Sequence, residues 1–140
     1  MAAVMAALRP LRRPGLWLGL WIAAIVAVIV ACLTPPAPLS LPSGSDKVEH
    51  FLAYFLLSWG AVQLFAGRRA LLRAMLGLVL LGVAIEVAQG TLTANRSADV
   101  LDALADTAGV LAGLALLPTP LRNCLQWVDG RLFGGGAGRR

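Results

Sequence analysis

Apolar residues form four long runs along this chain, and short polar segments separate them. The runs cover residues 15–33, 48–66, 70–89 and 100–117, and the first contains no charged residue. An α-helix rises about 1.5 Å per residue, so each run is roughly as long as the hydrocarbon core of a bilayer is thick. The pattern predicts an all-α polytopic membrane protein, a bundle of four transmembrane helices.

The connections between the runs are too short to hold a soluble domain. They are a Pro-rich loop, a Gly-Arg-Arg turn and a polar loop. Beyond the fourth run, apolar residues recur at helical spacing beside arginines, which predicts a short C-terminal amphipathic helix on a membrane surface. We therefore expect a membrane domain over residues 1–120. Over residues 121–140 we expect a cytoplasmic interfacial helix followed by a disordered Gly-rich tail.

The first run has an alternative interpretation. Its end, residues 29–32 with the letters IVAC, resembles the lipobox of a cleaved lipoprotein signal. The apolar region of a removable signal has about 7–15 residues, and this run is longer. We therefore expect the run to be retained as a span.

Composition and charge agree with a membrane protein and indicate its orientation. Charged residues make up 14% of the chain, whereas about 25% of residues are charged in a typical soluble domain. In the predicted topology ten of the twelve Lys and Arg residues lie on the side of the termini, and six of the seven acids lie on the other side. Because Lys and Arg accumulate in cytoplasmic loops, we expect both termini in the cytoplasm. The net charge of +5 then reflects orientation, and we expect no nucleic-acid partner.

Polar residues interrupt the predicted outer ends of the second and third runs. Asp46 and Glu49 fit a capped helix start, and His50 follows Asp46 by one turn, which predicts a hydrogen bond between carboxylate and ring. Glu86 lies near the end of the third run, where a carboxylate opposes the helix dipole and is costly in lipid unless it finds a partner inside the bundle. Gln89 falls on the same side of that helix as Glu86.

The fourth run carries three acids on one face. Asp99, Asp102 and Asp106 fall within an arc of about 60°, and Asp106 lies about 10 Å below Asp99, too deep for helix capping. Small residues along this run permit close helix approach. We expect these acids to meet His50 and Glu86 in the outer half of the bundle, as an outward-facing polar pocket. The residues predicted to form this pocket are Asp46, Lys47, His50, Glu86, Gln89, Arg96, Asp99, Asp102 and Asp106.

Three polar motifs occur in order on consecutive runs, namely DKVEHFLAYFLL, IEVAQ and RSADVLDALADTAGVLAG. Over residues 46–113 they resemble the VanZ-like family of small bacterial multi-pass membrane proteins, and Asp106 stands where many members have Asn. The resemblance implies a location in the bacterial inner membrane, association with the cell envelope and, for the family's namesake, resistance to the glycopeptide teicoplanin. The positions that match the family's polar pattern are Asp46, Lys47, His50, Glu86, Gln89, Arg96, Asp102 and Asp106.

The resemblance and the pocket together predict a protein that binds or modifies a cell-envelope component. The expected partner is a membrane lipid or a lipid-linked cell-wall component, with Arg96 as the phosphate contact. Because acids outnumber bases in the pocket, an anionic ligand would need an accompanying cation. A divalent cation is therefore a candidate cofactor, and the oxygen-rich pocket suits Mg²⁺, Mn²⁺ or Ca²⁺ better than Zn²⁺.

Two other functions fit the same residues. One is an intramembrane metal-dependent hydrolase or transferase that acts on a lipid-linked substrate, with His50 or Glu86 as general base. The chain contains no His-Glu-x-x-His helix, Gly-x-Ser-x-Gly elbow or phosphate-binding loop, which argues against those forms of catalysis. The other is transport of a proton or small cation through buried acids. The sequence leaves these alternatives and the oligomeric state open.

Overall fold

The computed structural model describes residues 5–34, 45–92 and 98–134, and within these ranges every extended regular element is a helix. The α-helices are α1 (Pro14–Leu33), α2 (Ser45–Leu64), α3 (Arg68–Leu92), α4 (Val100–Leu114) and α5 (Cys124–Phe133), and a 3₁₀ helix (Pro120–Asn123) precedes α5. The predicted all-α class is confirmed for this part of the chain. Residues 35–44 of the Pro-rich loop and residues 135–140 of the Gly-rich tail lie outside the described residues.

The helix boundaries differ from the apolar runs by a few residues, for physical reasons. Helix α2 begins at Ser45, before the apolar run, and Asp46 in its first turn is favoured by the helix dipole. Helix α4 ends at Leu114, before the run ends, because Pro118 cannot continue a helix. The chain there closes into tight turns, with Leu117 N–H donating to the Leu114 carbonyl at 3.0 Å.

Helices α2 and α4 lie parallel and share the closest helix contact. Gly109 and Gly113 of α4 face the backbone of α2. A Cβ on Gly113 would lie 2.6 Å from Ser58 Cβ and 2.7 Å from the Phe55 carbonyl oxygen, and one on Gly109 would meet the carbonyl of Phe51. The two glycines, four residues apart, therefore permit the close approach that small residues give to packed membrane helices.

Helix α3 runs antiparallel to α4. Glu86, late in α3, accepts a hydrogen bond from the N–H of Asp99 at the start of α4, and Gly82, one turn earlier, faces Asp106, further along α4. Gly77 of α3 has nothing within 4 Å of its Cβ position, so it does not serve helix contact. The two contacts bring the end of α3 beside the start of α4.

The apolar core lies between α2, α3 and α4, and α1 packs on its outside. Trp21 of α1 donates its indole N–H to the Leu57 carbonyl of α2 at 2.8 Å, and its ring meets the edge of Phe65 with centroids 5.7 Å apart. Helix α1 itself buries no residue. The buried apolar side chains of the core are Tyr54, Leu57, Ala61, Val62, Leu71, Met75, Leu78 and Val110.

The outer surface of the helices is apolar. Among the described residues, α1 and α3 are long and apolar enough to cross a membrane. Helix α4 has 15 residues, about 22 Å, which is shorter than a hydrocarbon core of about 30 Å. The four-span bundle with cytoplasmic termini stays a prediction. Exposed apolar side chains of these helices include Leu20, Val26, Val30, Leu52, Leu56, Leu76, Leu80, Val87, Leu104 and Leu111.

Helix α5 is attached to the start of α1 by a buried carboxylate. Asp129 is 2% exposed and accepts hydrogen bonds from the backbone N–H groups of Arg12 and Arg13 and from Trp17 Nε1. The helix predicted after the fourth run is therefore present and packs against the start of α1. Its position on a membrane surface, and the boundary at residue 120, stay predictions.

Candidate functional site

Three helices each contribute one polar side chain to a single buried group, which we call the polar cluster. Its members are His50 of α2, Glu86 of α3 and Asp106 of α4, which are 6%, 5% and 1% exposed. One potential ligand atom of each residue lies within 4.8 Å of those of the other two. Side chains this polar are rarely buried together by chance, because each loses its hydration.

The centre of the cluster is a contact between an imidazole and a carboxylate. His50 Nδ1 lies 3.0 Å from Asp106 Oδ1, a distance that the parallel packing of α2 on α4 allows. The predicted hydrogen bond between Asp46 and His50 is replaced by this contact. Asp46, one turn further out, has a side chain that is 52% exposed and lies 3.4 Å from the ammonium of Lys47. His50 thus pairs with the buried Asp106 of α4 and not with the solvent-exposed Asp46 of its own helix.

Three buried oxygen atoms near this centre have no hydrogen-bond partner among the described residues. They are Glu86 Oε1, Asp106 Oδ2 and Tyr54 Oη. The other Glu86 oxygen accepts the Asp99 N–H at 2.8 Å, so each carboxylate of the cluster has one oxygen held and one available. A buried polar atom without a partner costs about 1–3 kcal/mol, and more if it is charged. The available oxygens therefore mark where a proton, an ion or a ligand group would bind.

A second group of charges, the lysine network, lies at the starts of α2 and α4. The ammonium of Lys47 is 2.8 Å from Asp99 Oδ2, 3.2 Å from Asp102 Oδ1 and 3.4 Å from Asp46 Oδ2. Asp99 also accepts the N–H of Leu101 at 2.8 Å, as a helix cap. The Lys47 ammonium and this N–H hold the pKa of Asp99 below its usual value. Asp102 is therefore paired with Lys47, and of Asp99, Asp102 and Asp106 only Asp106 joins the polar cluster.

Comparison with known proteins identifies the family. A model of the VanZ/LLP1 family matches residues 20–122, a stretch that contains the polar cluster and the lysine network. The chain belongs to the VanZ-like family. The resemblance inferred from the three motifs is confirmed, and family membership with the apolar helices α1 and α3 indicates a membrane protein. No curated protein and no solved structure matches the chain.

The remaining predicted site residues of this VanZ-like protein lie elsewhere. Gln89 donates from Nε2 to the carbonyl of Cys32 at 2.9 Å and so connects α3 with α1. Arg96 lies outside the described residues. Tyr54 was missed by sequence reasoning, because a tyrosine in an apolar run resembles a core residue; the available signal was its position one turn after His50 on the same helix face.

The cluster of this VanZ-like protein is built to attract hydrogen-bond donors and cations. It presents one imidazole and two carboxylates, and the cation nearest in sequence, Lys47, already contacts three carboxylates. Among the described residues no Lys or Arg forms an ion pair with Glu86 or Asp106. A bare anion would be repelled here, whereas a hydroxyl, an ammonium or a metal ion would be stabilised.

Proposed function

We propose that this VanZ-like protein is a four-span membrane protein that binds a lipid-linked cell-wall component in an outward-facing pocket. The observation that carries the proposal is the pair of buried oxygens, Glu86 Oε1 and Asp106 Oδ2, without a partner among the described residues. They come from different helices and lie beside His50. Intramembrane carboxylates of this kind are usually functional.

The distribution of charge supports the proposed orientation. The N–H of Arg9 donates to the Leu64 carbonyl at 2.8 Å, and the N–H of Leu125 donates to Gln63 Oε1 at 2.6 Å. The segment before α1, the basic link between α2 and α3, and α5 therefore meet at one end of the bundle. The polar cluster lies toward the other end. A basic end is expected on the cytoplasmic side.

A lipid-linked sugar fits the chemistry of the cluster. Its hydroxyl groups are donors for the available carboxylate oxygens, and its hydrocarbon chain can lie along the apolar outer faces of α3 and α4. Hydrogen bonds to a charged acceptor are worth about 1.5–3 kcal/mol each. Two such bonds would discriminate strongly between a sugar headgroup and a ligand that lacks donors.

The proposal is tested by the lipids that purify with the protein. Native protein, Glu86→Gln and the matched control Glu49→Gln, which changes an exposed acid on α2, are purified in parallel and their lipids measured by mass spectrometry. We expect a glycosylated polyprenyl lipid in native protein and in the control. In Glu86→Gln it should fall at least about tenfold, since one charge-assisted hydrogen bond is lost. Bulk phospholipid alone, in equal amounts in all three, contradicts the proposal.

One contact supports a second candidate, an intramembrane metal-dependent hydrolase or transferase. The 3.0 Å contact between His50 Nδ1 and Asp106 Oδ1 resembles the arrangement in which a carboxylate orients a general base. Native protein and His50→Gln in vesicles are incubated with a polyprenyl-diphosphate-linked sugar and Mn²⁺, and products are followed by mass spectrometry. Cleavage or transfer by native protein alone supports catalysis, and no product from native protein counts against it.

The resemblance to the family's namesake adds a consequence for the cell. A protein that holds a lipid-linked cell-wall precursor at the outer surface would reduce the access of teicoplanin to it. Expression of native protein in a sensitive host should then raise the inhibitory concentration of teicoplanin. Expression of Glu86→Gln at the same level should not, and equal concentrations for both would dismiss this role of the cluster.

A further inference from the structure

We propose that His50, Glu86 and Asp106 form a binding site for one divalent transition-metal ion of the Mn²⁺ or Zn²⁺ class. This inference goes beyond lipid binding, because the three residues would bind the ion whether or not a lipid is bound. Each ligand comes from a different helix, so the ion would join α2, α3 and α4.

The distances fit a metal site. Bonds from an ion to nitrogen or oxygen ligands are about 2.0–2.2 Å long, so two ligand atoms on one ion lie roughly 3–4 Å apart. His50 Nδ1 and Asp106 Oδ1 are already 3.0 Å apart, and the potential ligand atoms of all three residues lie within 4.8 Å of one another. Metal binding would therefore require the three side chains to draw closer together. The ion would take the place of the proton between His50 and Asp106.

The unpartnered oxygens are an independent observation in favour of a ligand. Asp106 Oδ2 and Glu86 Oε1 have no partner among the described residues, although their side chains are only 1% and 5% exposed. The second Glu86 oxygen is held by the Asp99 N–H at 2.8 Å. Hydrogen bonds of this kind fix the orientation of metal-binding carboxylates. Glu86 and Asp106 thus each have one oxygen in contact with a neighbour and one that is buried without a partner among the described residues.

The charges of the cluster match a divalent ion. Two carboxylates and a neutral imidazole sum to two negative charges, and an uncompensated pair of carboxylates is costly in a low-dielectric interior. The ammonium of Lys47 does not offset them, since it is bonded to Asp99 and Asp102. A divalent cation would neutralise the cluster completely.

The donor set also selects the ion. Ca²⁺ takes six to eight oxygen ligands, and Mg²⁺ prefers oxygen and water, whereas an imidazole with two carboxylates suits Mn²⁺, Fe²⁺ or Zn²⁺. The expectation that the pocket suits Mg²⁺, Mn²⁺ or Ca²⁺ better than Zn²⁺ changes here, because Asp99 and Asp102 pair with Lys47 and leave only two carboxylates beside the His50 imidazole. Three protein ligands leave positions open for water or for a ligand oxygen.

The test uses Mn²⁺ and, in a parallel sample for metal analysis, Zn²⁺, and it exploits the single histidine of the chain. Full-length protein without a polyhistidine tag is stripped with a chelator in detergent, loaded with Mn²⁺, and examined by metal analysis and by pulsed electron paramagnetic resonance. Any coupling of Mn²⁺ to an imidazole nitrogen can come only from His50. We expect about one ion per chain with this coupling.

Two variants complete the experiment. In Asp106→Asn we expect Mn²⁺ affinity to fall at least about 100-fold, because a charged ligand is lost. In the matched control Glu49→Gln, which changes an exposed acid on α2, affinity should equal that of native protein. The native measurement requires no variant to fold, so the proposal is overturned if stripped native protein binds neither Mn²⁺ nor Zn²⁺, or binds Mn²⁺ without nitrogen coupling. Equal affinity in the two variants also overturns it. The lipids that purify with the metal-stripped protein are measured as well, so that a failure of metal binding can be distinguished from a failure of the proposed lipid binding.

Discussion

Two buried aspartates of this VanZ-like protein differ in whether both of their carboxylate oxygens have hydrogen-bond partners. Asp129 accepts three N–H groups, shared over both of its oxygens. Asp106 has one oxygen beside His50 and one with no partner among the described residues. Since buried polar groups are normally satisfied, complete satisfaction indicates a structural role. Asp129 fits a structural anchor, and Asp106 fits a binding group.

The same distinction predicts opposite effects for two buried hydroxyls. Ser58 donates to the Val110 carbonyl at 2.7 Å, whereas the Tyr54 hydroxyl has no partner among the described residues. In ligand-free protein, Tyr54→Phe should leave the free energy of unfolding unchanged or raise it by about 1 kcal/mol, because an unsatisfied group is removed. Ser58→Ala should lower it by about 1 kcal/mol. Chemical denaturation in detergent micelles measures both, and equal destabilisation by the two changes would be inconsistent with an unpartnered Tyr54.

The hydrogen bonds to the Asp129 carboxylate predict that the folded protein loses stability in acid. Burial by itself would raise the pKa of Asp129, but hydrogen bonds from Arg12, Trp17 and Arg13 outweigh it and hold the pKa below its usual value. A carboxylate with a lowered folded-state pKa contributes stability above its unfolded-state pKa of about 3.9 and loses it as pH falls through the folded-state value. The stability difference between native protein and Asp129→Asn should therefore be largest near neutral pH and shrink below about pH 4.

Thermal unfolding of the two proteins in detergent, measured across this pH range, gives that difference directly. The control is Asp46→Asn, which changes an exposed acid and should show a small difference at every pH. A difference between native protein and Asp129→Asn that grows on acidification would contradict the anchoring role of the carboxylate.

The sequence could identify a residue of the site only where the position of that residue along its helix was itself informative. Asp106 was recognised because it lies too deep in α4 for capping, and Glu86 because it opposes the dipole of its own helix. The actual partner of His50 could not be predicted, because it depends on the register between α2 and α4. That register is fixed by contacts distant in sequence, such as Ser58 with Val110.

At the scale of elements, the contact between α2 and α4 determines where the polar cluster forms. A Cβ on Gly109 would meet backbone atoms of α2, at Phe51 and Phe55, which cannot rotate away. Gly109→Ala should therefore lower the free energy of unfolding by about 1–3 kcal/mol through overpacking. Because α2 and α4 would separate, it should also disturb the contact of His50 with Asp106.

Gly77 offers the matched control for this prediction. It lies in α3 with nothing within 4 Å of its Cβ position, so Gly77→Ala should be neutral or should stabilise the helix by about 0.5–1 kcal/mol. Denaturation in micelles compares the two substitutions. If both alanines are tolerated equally, the close approach of α2 and α4 is not required for stability.

The helices could be predicted from the sequence, but the contact that attaches α5 to α1 could not. The apolar runs, with prolines after the first and the fourth, predicted α1 to α4 to within a few residues, because these signals are local. The attachment of α5 to α1 was not predicted. Asp129 lies in an amphipathic segment where an acid is normally solvated, and its three donors come from a part of the chain more than 110 residues earlier.

At the scale of the whole molecule, charge separates the two ends of the bundle. The starts of α2 and α4 carry the lysine network and lie beside the polar cluster. The segment before α1, the start of α3 and α5 carry arginines and meet at the opposite end. The ligand would therefore reach the cluster from the side on which acids dominate, and we expect this side to face outward.

This orientation is tested with cysteines placed at the two ends of a chain whose native Cys32 and Cys124 are replaced by Ser. Ala98, just before α4, is exposed, and Gly130 of α5 is exposed with open space at its Cβ position. A membrane-impermeant maleimide applied to intact cells should label Ala98→Cys, because the start of α4 faces outward in the proposed topology. It should label Gly130→Cys only after the cells are permeabilised. The reverse pattern would place the cluster on the cytoplasmic side and exclude a ligand that arrives from the cell wall, whereas labelling of both would exclude a four-span bundle.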